Sequence, residues 1–219
     1  MNWSYMGKVL PLYRDAALLT IRIGLLGIVF AILTGLVCSV IRHLRIPVLR
    51  TLTAVYIEVS RNTPLMVQLF FLFYGFPKIG LKIPAETCGV IGLAFLGGSY
   101  MAETFRSGLE AVGQIQYESA ASLGMTRFQT FRHVILPQAF AISFPGITAN
   151  VIFLLKETSV FSVITLMDLM FTAKDLIGMD YNTYECLALL VLFYLIILLP
   201  VSLLGSLAER RVRRAEFGT

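Results

Sequence analysis

The stretch LLTIRIGLLGIVFAILTGLVCSVI, Leu18 to Ile41, decides the fold class. It holds a single charged side chain, Arg22. A helix of about 20 apolar residues crosses the hydrocarbon layer of a bilayer. Lipid offers no partner for backbone N–H and C=O groups, so such a run satisfies them internally, as a helix. Four more apolar runs follow, at about Leu52–Phe76, Cys88–Phe105, Ala139–Leu155 and Tyr184–Ala208. The whole chain of 219 residues is 57% hydrophobic and 14% charged, against roughly 45–50% and about 25% in soluble domains. The pattern predicts an all-α integral membrane protein with five transmembrane helices. Residues 1–17 form an N-terminal segment, 18–211 the transmembrane domain and 212–219 a tail.

The net charge of +5 would suggest nucleic acid in a soluble protein. Here no basic stripe interleaved with aromatics appears, and loop charge explains the excess. With the N-terminus outside, inside segments hold Arg42, Arg45, Arg50, Arg106, Arg127, Arg132, Arg210, Arg211, Arg213 and Arg214. Outside segments hold Lys8, Arg14, Arg22, Lys78, Lys82 and Lys174. Positive charge favours the cytoplasmic side, so this count places the N-terminus outside and the C-terminus in the cytoplasm. The charges before the first span fit an amphipathic helix on the outer surface, anchored by Trp3, Tyr5 and Tyr13. Cys38, Cys88 and Cys186 are odd in number and far apart, with neither metal-ligand nor disulfide spacing. His43 and His133 are isolated in basic loops. No metal and no cofactor is expected.

The polar segment 106–138 interrupts the oil on the inside. Its core, YESAASLGMTRFQTFRHVILPQA from Tyr117 to Ala139, favours a short helix at Glu118–Leu123 and a bend at Gly124. A second, basic helix follows at Arg127–Leu136, and Pro137 can open the next helix. Small residues on one side let another protein's backbone approach, which suits docking rather than catalysis. The spacing resembles the cytoplasmic signature of permease subunits of ATP-binding cassette (ABC) importers: Glu-Ala-Ala, three residues, Gly, nine residues, Ile-x-Leu-Pro. Here the residues are Glu118-Ser119-Ala120, then Gly124, then Val134-Ile135-Leu136-Pro137. Ser119 and Val134 replace residues of similar size. YIEVSRNTPLMVQLFFLFYGFP (Tyr56–Pro77), GSYMAETFRSGLEAV (Gly98–Val112) and LLKETSVFSVI (Leu154–Ile164) are similar to permeases of the polar amino-acid uptake group.

The resemblance covers about Leu18 to Arg211. It implies a type I importer permease core of five helices in a bacterial inner or plasma membrane. It also implies a second permease copy or paralogue, two ABC ATPase subunits and an extracytoplasmic binding protein that delivers an amino acid. Glu118, Ser119, Ala120, Ala121 and Gly124 then match the coupling helix that rests in a cleft of the ATPase.

Charges inside spans usually mark a pathway or a paired partner. Glu58 and Arg61 share a helix face and can neutralise each other. Arg61-Asn62-Thr63-Pro64 also breaks the second helix, because Pro64 frees a carbonyl; Gln68 lies four residues on. Lys156, Glu157, Thr158 and Ser159 close the fourth run. A zwitterionic amino acid needs a cation and an anion, which Lys156 and Glu157 supply, with hydroxyls beside them; a helix-end salt bridge and cap is the competing role. Tyr100 and Glu103 make another polar face, and Glu103 can equally pair with Arg106. Gly24, Gly27, Gly35, Gly97 and Gly98 read as close helix contacts.

The chain has no G-x-x-x-x-G-K-[ST] loop for nucleotide phosphates. ATP hydrolysis must therefore come from a partner, and this subunit is not itself expected to be an enzyme. An ATPase-independent secondary transporter or channel subunit is the alternative, but no internal repeat is visible. A membrane-embedded enzyme would need a Ser/His, Asp/Asp or His-cluster constellation, and none is visible.

Overall fold

The computed structural model describes residues 1–43 and 46–217. Arg45 of the basic loop and the end of the tail, 218–219, lie outside the described residues. The described residues form nine α-helices: α1 Trp3–His43, α2 Pro47–Arg61, α3 Leu65–Phe70, α4 Ala85–Ala111, α5 Gln114–Ser122, α6 Arg127–Thr130, α7 Leu136–Glu157, α8 Leu169–Asp180 and α9 Thr183–Phe217. Four continuous helical stretches are long and apolar enough to cross a membrane: Trp3–His43, Ala85–Ala111, Arg127–Ile164 and Thr183–Arg214. The second apolar run is interrupted as Pro64 requires. α2 stops at Arg61, α3 restarts at Leu65, and a π-helical turn and a 3-10 turn carry the chain on to Ile79.

The α1–α4 seam is the backbone of the core. An added Cβ on Gly27 would meet Leu93, one on Gly97 would meet Ala31 at 2.7 Å, and one on Gly35 would meet Met101. Gly27, Ala31 and Gly35 therefore face Leu93, Gly97 and Met101 in steps of four residues. The constant register shows that the two helices run parallel. In lipid, association rests on close van der Waals contact, which small residues every four positions permit. Leu65, Leu69, Leu154 and Phe161 close over this seam.

α1 differs from the expected surface helix. It is continuous from Trp3 through Pro11, and its first turns are packed between α8 and α9. Tyr13 is fully buried among Val9, Ala17, Leu169 and Leu189. Its hydroxyl donates to the Cys186 carbonyl at 2.8 Å, and Tyr5 donates to Asp180 at 2.7 Å. Trp3 alone of the expected anchors is well exposed. The missing ingredient in the sequence was α8, which the run of mixed polarity after Leu155 concealed. Asp168 caps it by accepting from the Phe171 amide at 2.9 Å.

Because the start of α1 meets the start of α9, those two helices also run the same way. Their arginine-rich ends thus lie on one side, together with the end of α4. The fourth crossing is longer than the sequence suggested, because the helix does not restart at Pro137. It passes through a π-helical turn at Phe131–Ile135 into α7. The same turn, Phe71–Gly75, precedes Pro77. A proline has no N–H and its ring crowds the carbonyl four residues back, and a local widening relieves that clash.

Candidate functional site: a broken helix, a polar stripe and an exposed elbow

The break between α2 and α3 is held by side chains. Pro64 cannot donate to Ser60, the carbonyl four residues back. The Gln68 amide donates to the carbonyls of Ser60 at 3.2 Å and Thr63 at 3.0 Å. Asn62 donates back to the Glu58 carbonyl at 2.8 Å and to its carboxylate at 3.2 Å. Thr63 donates to Val59 at 2.7 Å. Ser60 and Tyr56 both donate to the Phe95 carbonyl of α4, at 2.9 and 2.7 Å. Gln68, 9% exposed, therefore supports the break from inside the core. Gln68→Leu keeps the volume and removes the donor. The variant should lose about 1–3 kcal/mol, seen as a lower thermal midpoint in detergent. An unchanged midpoint would show that the staple is dispensable.

With the helix opened at Asn62, Arg61 is free to turn. It forms no ion pair with Glu58. Its guanidinium lies 5.1 Å from the centre of the Tyr100 ring, a cation–π contact of about 0.5–2 kcal/mol. A cavity of about 280 Å³ is lined by Glu58, Arg61, Asn62 and Tyr100. A second, of about 350 Å³, is lined by Arg61, Tyr100, Glu103, Thr104, Ser107 and Ser143 among others. Arg61 and Tyr100 border both. Tyr100, Glu103, Thr104 and Ser107 recur at helical spacing on one face of α4. That periodicity was open to sequence reading, although Thr104, Ser107 and Ser143 escaped it. Asn150 of α7 donates to the Thr104 hydroxyl at 2.9 Å and thereby fixes this stripe against α7.

Glu103 sits between two arginines. Arg106 donates to one carboxylate oxygen through Nε at 2.9 Å and Nη2 at 2.7 Å, and Arg42 of α1 pairs with the other. Arg106 also reaches Glu110. The pairing with Arg106 was foreseen. Arg42 was not, because a contact between residues so distant in sequence depends on the α1–α4 register. Both oxygens of Glu103 are thus engaged, and the two arginines are held in fixed positions.

Lys156, Glu157, Thr158 and Ser159 stand elsewhere. Lys156 is thirteen residues beyond Ser143 on one helix, about 20 Å along its axis, and neither cavity of Arg61 includes it. Among the described residues, Lys156 and Glu157 form no ion pair. Thr158 is 0% exposed; its hydroxyl donates to the Leu155 carbonyl at 2.7 Å, and its methyl group packs near Gly24. Ser159 accepts from Ser162 at 3.4 Å in the 3-10 turn. The structure therefore separates the expected polar residues into an Arg61–Tyr100–Glu103 group and a Lys156–Glu157 group at the opposite end of α7.

The segment 106–138 forms an elbow. α5 ends in a Schellman motif: the Met125 amide donates to Ala120 at 3.1 Å and the Gly124 amide to Ala121 at 3.0 Å. Gly124 holds φ +76°, the left-handed conformation this cap requires. α6 begins with a capping box between Thr126 and Gln129. Tyr117 anchors the elbow on Val112, Ile135 and Ala139. Ala120 faces inward and is buried, whereas Glu118, Ser119, Ala121 and Gly124 are exposed. Ile115, Leu123 and Phe128 also point outward, Leu123 with 82% of its surface free.

Residues 19–214 match the family model of the binding-protein-dependent transport system inner membrane component. The probable amino-acid permease protein YxeN of Bacillus subtilis is 33% identical over 98% of this chain and 97% of its own length. The glutamine transport system permease protein GlnP of Escherichia coli K12 is 30% identical over 97% of this chain and 98% of its own. Among solved structures, a chain from the crystal structure of an amino acid ABC transporter with histidines superposes with a TM-score of 0.90. It shares 35% identity and covers 96% of this chain and 99% of that one. An inward-facing MetNI methionine ABC transporter has the same fold, at a TM-score of 0.78 and 18% identity. The broken second helix, the parallel α1–α4 seam and the capped elbow are thus the architecture of a multi-pass transport subunit, and the chain belongs to the family of binding-protein-dependent transport system inner membrane components.

Proposed function

We propose that the chain is the permease subunit of an ATP-driven importer of a polar or charged amino acid. The observation that carries this reading is the elbow at α5–α6. It is a rigidly capped helix on the arginine-rich side of the bundle, and its small and apolar outer face has no partner among the described residues. A face of that kind suits the cleft of a second protein. The absence of a phosphate-binding loop from the sequence makes that protein the source of ATP hydrolysis. The gathering of the arginine-rich ends of α1, α4 and α9 on one side supports a cytoplasmic location for the elbow and an extracytoplasmic N-terminus. A second permease copy or paralogue completes the pathway, and an external binding protein delivers the substrate. Relatives named for amino-acid and glutamine transport favour this substrate class.

In the mechanism, ATP binding draws two ATPases together and moves the elbow with them. The bundle then opens outward to accept the amino acid, and hydrolysis returns it inward. Each ligand must favour one of the two states, or no net transport follows. Arg61, Asn62 and Tyr100 line the pathway, where the Arg61 guanidinium is placed to hold a carboxylate and the Tyr100 ring and neighbouring hydroxyls to orient the rest. Lys156, Glu157 and Ser159 act at the other end of α7, as an outer gate.

The assay is uptake of radiolabelled amino acids into proteoliposomes holding the complete complex, with binding protein outside and ATP inside. Uptake should require ATP. Arg61→Ala should lower uptake by about tenfold or more, the worth of one charge-assisted contact, while ATPase subunits still co-purify. Gradient-driven uptake by the permease alone would reject this reading in favour of a secondary transporter.

A further inference from the structure

The arginine side of the bundle holds a further cavity, which shares Arg106 with the larger of the two Arg61 cavities. It measures about 510 Å³ and lies where α1 and α4 end and α2 begins. Arg42, His43, Arg50, Arg106 and Glu110 border it. Glu103 tethers Arg42 and Arg106 from behind, and Glu110 meets Arg106. Arg50 has no ion-pair partner among the described residues. Three guanidinium groups thus converge on one space, against two carboxylates. Guanidinium forks match phosphate oxygens in geometry and charge. Two of them are already held in place, so little side-chain freedom is lost on binding.

We propose that this cavity binds a phosphate group presented by an anionic phospholipid of the cytoplasmic leaflet. The volume is far larger than a bare phosphate ion needs and admits a whole headgroup. The exposed flanks are apolar: Val37 and Val40 on α1 and Leu49 and Leu52 on α2, a surface along which acyl chains can lie. Basic pockets between helices on the cytoplasmic side are suited to such headgroups. The placement in that leaflet rests on the orientation proposed above.

The test is native mass spectrometry of the intact transporter complex in detergent with equimolar phosphatidylglycerol and phosphatidylcholine. Retention of phosphatidylglycerol over phosphatidylcholine is expected, about tenfold weaker in Arg50→Gln and only partly restored in Arg50→Lys, which keeps the charge and loses the fork. Equal retention of both lipids, or no effect of Arg50→Gln, would overturn the site. A parallel titration with inorganic phosphate separates the two sources. Displacement of the lipid by millimolar phosphate would keep the anion site and overturn the lipid as its natural occupant. ATP hydrolysis stimulated by the binding protein, measured on the same preparation, reports on the importer reading independently. A complex that hydrolyses ATP normally without lipid preference loses only the lipid site.

Discussion

Gly35→Val should produce a permease that inserts into the membrane and does not pack. A Cβ at this position would lie 2.9 Å from the Ala102 amide nitrogen and 3.0 Å from the Met101 carbonyl carbon. Both are backbone atoms of α4, and no rotamer change moves them aside. The two helices must separate, and with them the contacts of Gly27, Ala31 and Gly97 along the same seam. Overpacking costs about 1–3 kcal/mol where side chains can yield, and this site lies at or above the upper end. For a chain of this size that is a fall of roughly 6–12 °C or more in midpoint. Arg42 would also move from Glu103, because their pairing depends on the same register. Two substitutions serve as controls. Gly113→Ala meets nothing within 4 Å and should be neutral, and Gly24→Ala meets the flexible end of Leu155 at 3.1 Å and the Thr158 methyl group at 3.4 Å. Thermostability by size-exclusion chromatography reads all three. A Gly35→Val protein as stable as the parent would refute the backbone-to-backbone seam.

Gly124→Pro should abolish uptake while leaving the transmembrane bundle intact. Proline fixes φ near −65°, and the chain at this point requires +76°. The substitution also deletes the amide that donates to Ala121. Schellman closure is lost, α5 frays from its C-terminal end, and Leu123 and Met125 leave their positions. The outward face of Glu118, Ser119 and Ala121 depends on that closure, as does the burial of Ala120. The expected readouts are loss of ATPase subunits on affinity purification and uptake at background. The thermal midpoint of the isolated permease should stay near that of the parent, because α5 is tied to the bundle lightly, by the small cluster around Tyr117 and a Gln138–Gln116 hydrogen bond at 3.4 Å. Glu118→Lys, on the exposed face of the same helix, should weaken co-purification without altering the elbow's fold. Full complexes in both variants would mean that another surface receives the motor.

Membrane insertion, the helical state of the apolar runs and the bend of the elbow were determined by the sequence alone, each for a local reason. An apolar run in lipid has no conformation other than helix. Arg61-Asn62-Thr63-Pro64 marks the break in the second helix within four residues, and the Gly124 and Pro137 spacing sits inside one short segment. The charge bias among the loops is likewise a matter of counting along the chain. Tertiary structure decided the rest. The pairing of Arg42 with Glu103 and the seating of Arg61 on Tyr100 join residues far apart in sequence, and only the α1–α4 register and the opened second helix bring them together. The burial of Tyr13 required α8, whose mixed polarity has no meaning until α1 and α9 cover it. Lys156 and Glu157 have the right chemistry for an amino acid, yet whether they share a cavity with Arg61 is a question of distance along α7. Local propensity acts within a turn or two of helix. The site is assembled by contacts between helices, and their geometry is fixed only when all of them pack at once.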